Sequence, residues 1–269
     1  MRYALLLLAA CGGGGGGDDG SGSGSSDAPL APGKTGYVSI QSYDAMNTPN
    51  TPTRGGTASA AFFSSGAFCT TTQTIGPCEV ATCTSSQPPA ISAGTIMISG
   101  AAMPITMTPT ALSQYDTFMT ASPLFSGGES ITFAAAGAGV PAFSGSVTMP
   151  SKATITVPAK PSNQSPYLVI NRGADYTVSW TGGGSGQVQV ALNSQMADKR
   201  LFCRFDASAG TGKIPSAALA TLDAGGGGFA MASVARKQQT AGEWGVELSG
   251  YFNAVWPDLS IVSGPTNFQ

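Results

Sequence analysis

Apolar and polar residues alternate along most of the chain after Pro32, in short runs separated by Gly and Pro. Tyr37–Ile40 is the first run, and Asp175–Trp180 is the clearest, because Tyr176, Val178 and Trp180 would share one face. A period of two is typical of a strand with one buried face and one solvent face. The pattern therefore predicts a mainly β protein.

The same alternation recurs at many other places. It predicts further strands at 57–63, in a cysteine-bearing hairpin over 69–83, in a second hairpin formed by 95–98 and 105–108, and at 130–134, 147–149, 154–157, 167–170, 187–192, 201–205, 229–234 and 244–252. One short helix is predicted from Pro215 to Leu222, with Gly225 ending it. Many short strands and one short helix indicate an all-β fold, an antiparallel β-sandwich, built as either one large or two small Ig-like sandwiches.

The amino end has a different composition. Arg2 is followed by an apolar run over 3–10, then by Cys11, six glycines and a Gly/Ser tract. A basic residue, a short apolar stretch and small residues ahead of a cysteine are typical of an export signal. The run Leu8-Ala9-Ala10-Cys11 resembles the lipobox of bacterial lipoproteins.

The resemblance implies a lipid anchor on Cys11. In that family the cysteine thiol receives a diacylglyceryl group, the signal is cut just before it, and the new amino terminus is acylated. Two or more buried acyl chains give stable membrane anchoring. Gly12, where inner-membrane retention often uses Asp, favours an outer-membrane address. Since most signals run to about 15–30 residues, this one is either unusually short or begins upstream of Met1.

These observations divide the chain into four parts. We expect a signal over 1–10, lipidated Cys11 with a flexible tether over 11–35, and two β-rich domains or halves over 36–150 and 151–269. The tether lacks apolar side chains to bury, and its glycines lose much entropy on ordering. Several runs, Val140–Gly145, Asp175–Gly183, Cys203–Phe205 and Gly210–Pro215, are similar to stretches of glycine-tethered bacterial lipoproteins. That resemblance implies a fold and a location in the cell envelope, and it implies no activity.

Four more cysteines follow, Cys69, Cys78, Cys83 and Cys203. An even number in an exported chain predicts two disulfides. Cys69 and Cys83 flank a turn at 75–77, which favours pairing them and leaves Cys78 for Cys203. The local pair Cys69–Cys78 is the open alternative. A zinc site is disfavoured, because the chain has neither a CxxC pair nor a histidine.

Composition excludes several function classes. Charged residues make up 10% of the chain, the net charge is −2 and there is no histidine. No basic face is available for nucleic acid, so that partner is not expected. Catalysis through Ser-His-Asp or Cys-His and metal sites with His ligands all need an imidazole. Gly210–Lys213 lacks the flanking residues of a phosphate loop, since Ala207 and Ile214 stand where Gly and Ser or Thr belong. We therefore predict no catalytic residue, no metal and no cofactor.

The acidic residues are interpreted as solvated or turn-capping groups. Five of them are candidates for catalytic carboxylates: Asp198, Asp206, Asp223, Glu243 and Glu247. Aromatic residues cluster near the carboxyl end, at Trp244, Tyr251, Phe252 and Trp256. If exposed, they would stack on sugar rings, but sandwich core is the preferred interpretation.

The sequence thus predicts a lipid-anchored cell-envelope protein with a non-enzymatic role in structure, adhesion or ligand capture. Its expected partners are the membrane, through the anchor, and an unidentified protein or carbohydrate. The alternative is a carbohydrate-binding or carbohydrate-active surface protein that uses the aromatic segment around Trp256.

Overall fold

The structure is a computed structural model. It describes residues 34–47, 51–64, 69–83, 89–162, 165–194 and 198–269. The predicted signal, Cys11 and nearly all of the tether therefore lie outside the described residues. Within the described ranges, strands form almost all of the regular structure, which confirms the all-β prediction.

Eighteen strands run through the described ranges. In chain order they are β1 Thr35–Asn47, β2 Thr51–Phe63, β3 Cys69–Ile75, β4 Cys78–Cys83, β5 Ile96–Ser99, β6 Ile105–Met107, β7 Phe118–Thr120, β8 Ser130–Ala135, β9 Phe143–Thr148, β10 Ala153–Val157, β11 Leu168–Ile170, β12 Tyr176–Gly182, β13 Gln187–Ser194, β14 Lys199–Asp206, β15 Thr211–Ile214, β16 Gly225–Ala241, β17 Trp244–Asn253 and β18 Ser263–Phe268. The predicted helix is present but shorter, because α1 covers only Ser216–Leu219 after the Pro215 cap.

Eleven strands form one large sheet, with the order β3-β4-β14-β13-β16-β17-β1-β2-β7. Strand β18 lies beside the first part of β16, and β11 lies beside β18. Two pairs, β1 with β17 and β11 with β18, are parallel, so the sheet is mixed where an antiparallel one was predicted. Alternation does not report direction, and strands far apart in sequence are not constrained by a hairpin. Strands from both sides of residue 150 share this sheet.

Two smaller sheets cover one face of the large sheet, called here its inner face. The four-stranded sheet has the order β6-β5-β8-β9, and the three-stranded sheet has the order β10-β12-β15. Beneath the four-stranded sheet, Phe62 and Phe133 belong to one apolar core. Beneath the three-stranded sheet, Ile155 and Trp180 belong to another. The opposite side of the large sheet is called its second face.

Both disulfides join residues that lie directly opposite each other in neighbouring strands. Cys69 pairs with Cys83 across β3 and β4, and Cys78 pairs with Cys203 across β4 and β14. The favoured connectivity is confirmed. The second bridge spans 125 residues and so links the two predicted halves of the chain.

Candidate functional site

The solvent side of the four-stranded sheet carries only uncharged residues. Strict alternation of buried and outward positions in its four strands sends nine side chains to that side. We call this set the neutral face: Met97, Ser99, Thr106, Ser130, Thr132, Ala134, Ser144, Ser146 and Thr148. Seven of the nine are Ser or Thr, and each hydroxyl can both donate and accept a hydrogen bond.

The strand register arranges these side chains in rows. The longest row runs from Thr106 through Met97 and Ala134 to Ser144. A second row contains Ser99, Thr132 and Ser146, and a third contains Ser130 and Thr148. Within the second row, the hydroxyls of Thr132 and Ser146 are 2.8 Å apart and hydrogen-bonded. Residues in a row are about 5 Å apart, and rows are about 7 Å apart along the strands.

Charge is absent from this face because the surrounding sequence hardly supplies any. No Lys or Arg stands between Arg54 and Lys152. Glu129, just before β8, accepts hydrogen bonds from the backbone N–H groups of Ser126 and Gly127 at 2.8 and 2.7 Å. Partial burial opposes ionisation, but these donors outweigh it and hold the pKa of Glu129 below its usual value. The carboxylate is thus engaged with its own turn.

A second polar cluster lies on the second face of the large sheet. Arg204, which is buried, bonds Glu79 at 2.9 Å through Nη1 and donates from Nε to the Gln189 amide oxygen at 2.8 Å. Arg236 lies 3.6 Å from the Glu247 carboxylate, which is longer than a hydrogen bond. The two ion pairs contain two arginines and two glutamates, so their net charge is zero when all four side chains are ionised.

Glu247 is the exceptional member of that cluster. It is 2% exposed, and neither carboxylate oxygen has a hydrogen-bond partner of normal geometry. Burial raises its pKa, although Arg236, Arg204 and the Gln238 amide act in the opposite direction. The prediction that Glu247 is a solvated or capping acid was therefore wrong. Its alternation with apolar neighbours in β17 did not show that both faces of this central strand are buried.

The other acids agree better with their predicted roles. Asp206 caps the 3-10 turn over 207–209 by accepting a hydrogen bond from the Ser208 N–H at 2.8 Å. The Ser208 hydroxyl also donates to Asp206, at 2.7 Å, and these two hydrogen bonds lower the pKa of Asp206. Glu243 is exposed at the β16–β17 turn and pairs with Lys34. Asp198 is exposed, and Asp223 is half-buried between α1 and β16.

The four aromatic residues proposed to stack on sugars are all buried. Trp244 and Phe252 belong to the core beneath the four-stranded sheet, and Trp256 belongs to the core beneath the three-stranded sheet. Tyr251 lies on the second face, where burial raises its pKa. Each is 3–4% exposed. The core interpretation holds for all four, and the folded chain does not present them as a stacking surface.

The neutral face was missed in the sequence, although a signal for it exists there. The absence of basic residues between Arg54 and Lys152 can be read directly, and so can the Ser and Thr at alternate positions of 130–134 and 144–148. Sequence pattern does not show, however, that these strands lie side by side.

No group of three potential metal ligands occurs within the described ranges, and no helix there is long and apolar enough to cross a membrane.

Comparison with known proteins assigns no family to this chain. No family model matches the chain, and no curated protein matches it. Among solved structures, it is similar to a Ca2+-stabilized adhesin that helps an Antarctic bacterium bind ice, at 13% identity and a TM-score of 0.18. The similarity covers 82% of this chain and 50% of that one, so this chain spans half the adhesin's length.

Proposed function

We propose that the chain is a lipid-anchored cell-envelope protein that makes non-enzymatic contact with a surface outside the cell. The observation that carries the contact role is the neutral face, a set of nine outward residues without a single charge. About one quarter of the residues of a typical globular protein are charged. Small hydroxyl side chains also lose little rotamer entropy when a partner covers them, whereas Lys and Glu lose much.

The address rests on other features. The run ending at Cys11 resembles a lipobox, and the glycine-rich stretch after it would hold the folded part away from the lipid. Two disulfides suit an oxidising compartment outside the cytoplasm. An outer-membrane location fits Gly12. The absence of histidine and of a catalytic motif favours a role without catalysis.

The carbohydrate alternative needs a different surface. Its original support was the segment around Trp256, whose aromatic side chains are buried. An exposed, uncharged, hydroxyl-rich face provides a new basis for it.

Metabolic labelling tests the anchor. Cells fed radiolabelled palmitate should incorporate label into the wild-type protein and not into a Cys11→Ser variant. Attachment of the same cells to a hydroxylated, uncharged coating should fall when Cys11→Ser releases the protein from the membrane. Equal labelling of both proteins, or an unprocessed protein in the cytosol with its four remaining cysteines reduced, would refute the proposal.

A further inference from the structure

The neutral face restricts the charge of its partner. An anionic polymer, a nucleic acid or an anionic lipid surface is attracted by Lys and Arg, and the nine residues contain neither. A cationic partner would need carboxylates, which the face also lacks. Burying a charged partner against groups that do not neutralise it is costly. The partner is therefore uncharged where it touches this surface.

The residue types also restrict the kind of molecule. Protein partners bind tightly through a few anchors, mostly Trp, Tyr and Arg, set in the centre of an interface. None of these occurs among the nine residues. Hydroxyl groups in repeated rows offer instead many similar, individually weak contacts. Such contacts become effective when an extended partner engages several of them at once.

Met97 gives the face an apolar centre. It is 59% exposed, and it lies in the longest row between Thr106 on one side and Ala134 on the other. A flexible thioether side chain adapts to varied apolar shapes. The row thus combines a C–H contact surface at Met97 and Ala134 with hydroxyl donors and acceptors at its two ends, Thr106 and Ser144. Sugar rings have the matching chemistry, with apolar ring faces and hydroxyl edges.

We infer that the neutral face binds an uncharged polysaccharide, with Met97 against the ring faces and the Ser and Thr rows bonded to the sugar hydroxyls. The inference rests on the proposed function and names the partner class of its surface. The hydroxyls of Thr106 and Ser144 mark the two ends of the longest row. The bound stretch of polymer lies along that row.

Co-sedimentation tests the inference. The full-length protein, purified in mild detergent, is mixed with microcrystalline cellulose, chitin particles and an insoluble β-1,3-glucan, with carboxymethyl-cellulose particles as the anionic comparator. Retention is expected on at least one uncharged polymer. It should change little between about 0.05 and 0.5 M salt, since no charge pairs need screening. Lysine at Thr106 or Met97 should weaken retention about tenfold or more, because it places an unpaired ammonium group in the contact.

Thr181→Lys is the matched control. Thr181 is an exposed threonine in a strand of the three-stranded sheet, with Thr154 opposite it. Its lysine variant should be retained like the wild type. Ser144→Lys provides a second variant in case Thr106→Lys fails to fold, as checked by circular dichroism, and it should lose retention too.

Three results would overturn the inference: no retention on any uncharged polymer, equal retention of the Thr106→Lys and Thr181→Lys proteins, or retention confined to the anionic particles. The proposed function is judged separately. If palmitate labels Cys11 and cells attach, while Thr106→Lys binds like wild type, only the partner class fails. If Cys11 carries no lipid, the proposed function fails whatever sediments.

Discussion

The four-stranded and three-stranded sheets pack on the same face of the large sheet, and each is anchored by an aromatic residue. Beneath the first, Phe62 of the large sheet packs against Phe143 of β9, with ring centroids 5.9 Å apart and the rings tilted. Beneath the second, Trp180 packs against Phe205 at 6.1 Å and donates its indole N–H to the Ala207 carbonyl at 2.8 Å. The two ends of the molecule thus share one way of packing an aromatic ring.

The two solvent faces differ in charge and not in hydroxyl content. The three-stranded sheet also exposes threonines, and the hydroxyls of Ser179 and Thr211 are 3.2 Å apart. It carries Lys213 as well, 3.5 Å from Asp175. Hydroxyl richness is therefore a property of the whole chain, whereas freedom from charge is a property of the four-stranded sheet. Because of this difference, the proposed binding surface lies on one sheet only.

The two ends also differ in covalent cross-links, and removal of the Cys78–Cys203 disulfide should have the largest effect on stability. Cys78–Cys203 lies in the core beneath the three-stranded sheet and closes a loop of 125 residues. Replacing both cysteines with serine should lower the free energy of unfolding by about 5 kcal/mol, because the unfolded chain regains the entropy of that loop. The matched pair, Cys69→Ser with Cys83→Ser, opens a 14-residue loop and should cost about 3 kcal/mol.

Urea unfolding followed by circular dichroism measures both values. Hydrogen exchange shows where the structure opens, and amides of β12 should lose protection before those of β8 in the Cys78 and Cys203 variant. A larger loss for the short loop would show that strain or residual structure, rather than loop entropy, determines the order.

Glycines next to aromatic rings give the next largest effect. An added Cβ at Gly36 would overlap the ring of Phe62, and one at Gly212 would overlap the ring of Phe205. Phe62 is completely buried, whereas Phe205 is half-buried and can swing outward. We expect Gly36→Ala to cost about 1–3 kcal/mol from overpacking and Gly212→Ala clearly less.

Gly264→Ala is the control for this pair, since nothing lies within 4 Å of its added Cβ. Thermal unfolding of the three variants gives the comparison. If Gly212→Ala proves as harmful as Gly36→Ala, the two aromatic contacts are equally rigid, and partial exposure does not relieve the overlap.

The sequence allowed prediction of most strands, because alternation reports a half-buried strand wherever side chains are regular. It missed β7, β15 and β18, which are short or contain Gly and Pro, as at Gly264-Pro265. Gly225 was expected to end the helix, but the helix already ends at Leu219 and Gly225 is the first residue of β16. Gly227 fits there because a side chain would meet Asn193 and Phe268.

The candidate site was less predictable than the fold. Alternation in 244–252 correctly indicated a strand, yet it did not reveal that β16 and β1 flank this strand and that both of its faces are buried. That placement depends on pairing between residues about 200 positions apart, which local pattern does not encode. The same lack of long-range information hid the neutral face, whose rows join four separate strands.

Glu247 should make stability depend on pH in an unusual direction. Burial raises its pKa, so the folded state holds this proton more firmly than the unfolded state does. Stability contributed by this group is therefore highest below the unfolded pKa and is lost as pH rises through the folded value. As pH rises from about 4 to about 8, the stability of the Glu247→Gln protein should therefore increase relative to that of the wild type.

Glu79→Gln is the matched change in the shorter of the two ion pairs. It leaves the buried Arg204 without its ionic partner and should lower stability by about 3–5 kcal/mol at neutral pH. Urea unfolding of both variants at the two pH values provides the measurement. A Glu247→Gln protein that falls relative to wild type as pH rises would mean that its contact with Arg236 outweighs the cost of burial.

The smallest expected effect concerns an exposed carboxyl near the three-stranded sheet. Burial of Asp258 raises its pKa, but hydrogen bonds from Lys160 and Ser260, both 2.6 Å long, together outweigh it and lower the pKa to about 2. Such a group stabilises the fold above its unfolded pKa, near 4, and stops doing so as pH falls through about 2. Asp258→Asn should cost at most about 0.5 kcal/mol at neutral pH, since solvent screens this half-exposed pair, and nothing at about pH 2.

Glu129→Gln, beside the four-stranded sheet, should show the same sign, because its pKa is also lowered. Urea unfolding at both pH values compares the two carboxyls. An Asp258→Asn cost that persists at about pH 2 would assign the contact to side-chain packing instead of charge.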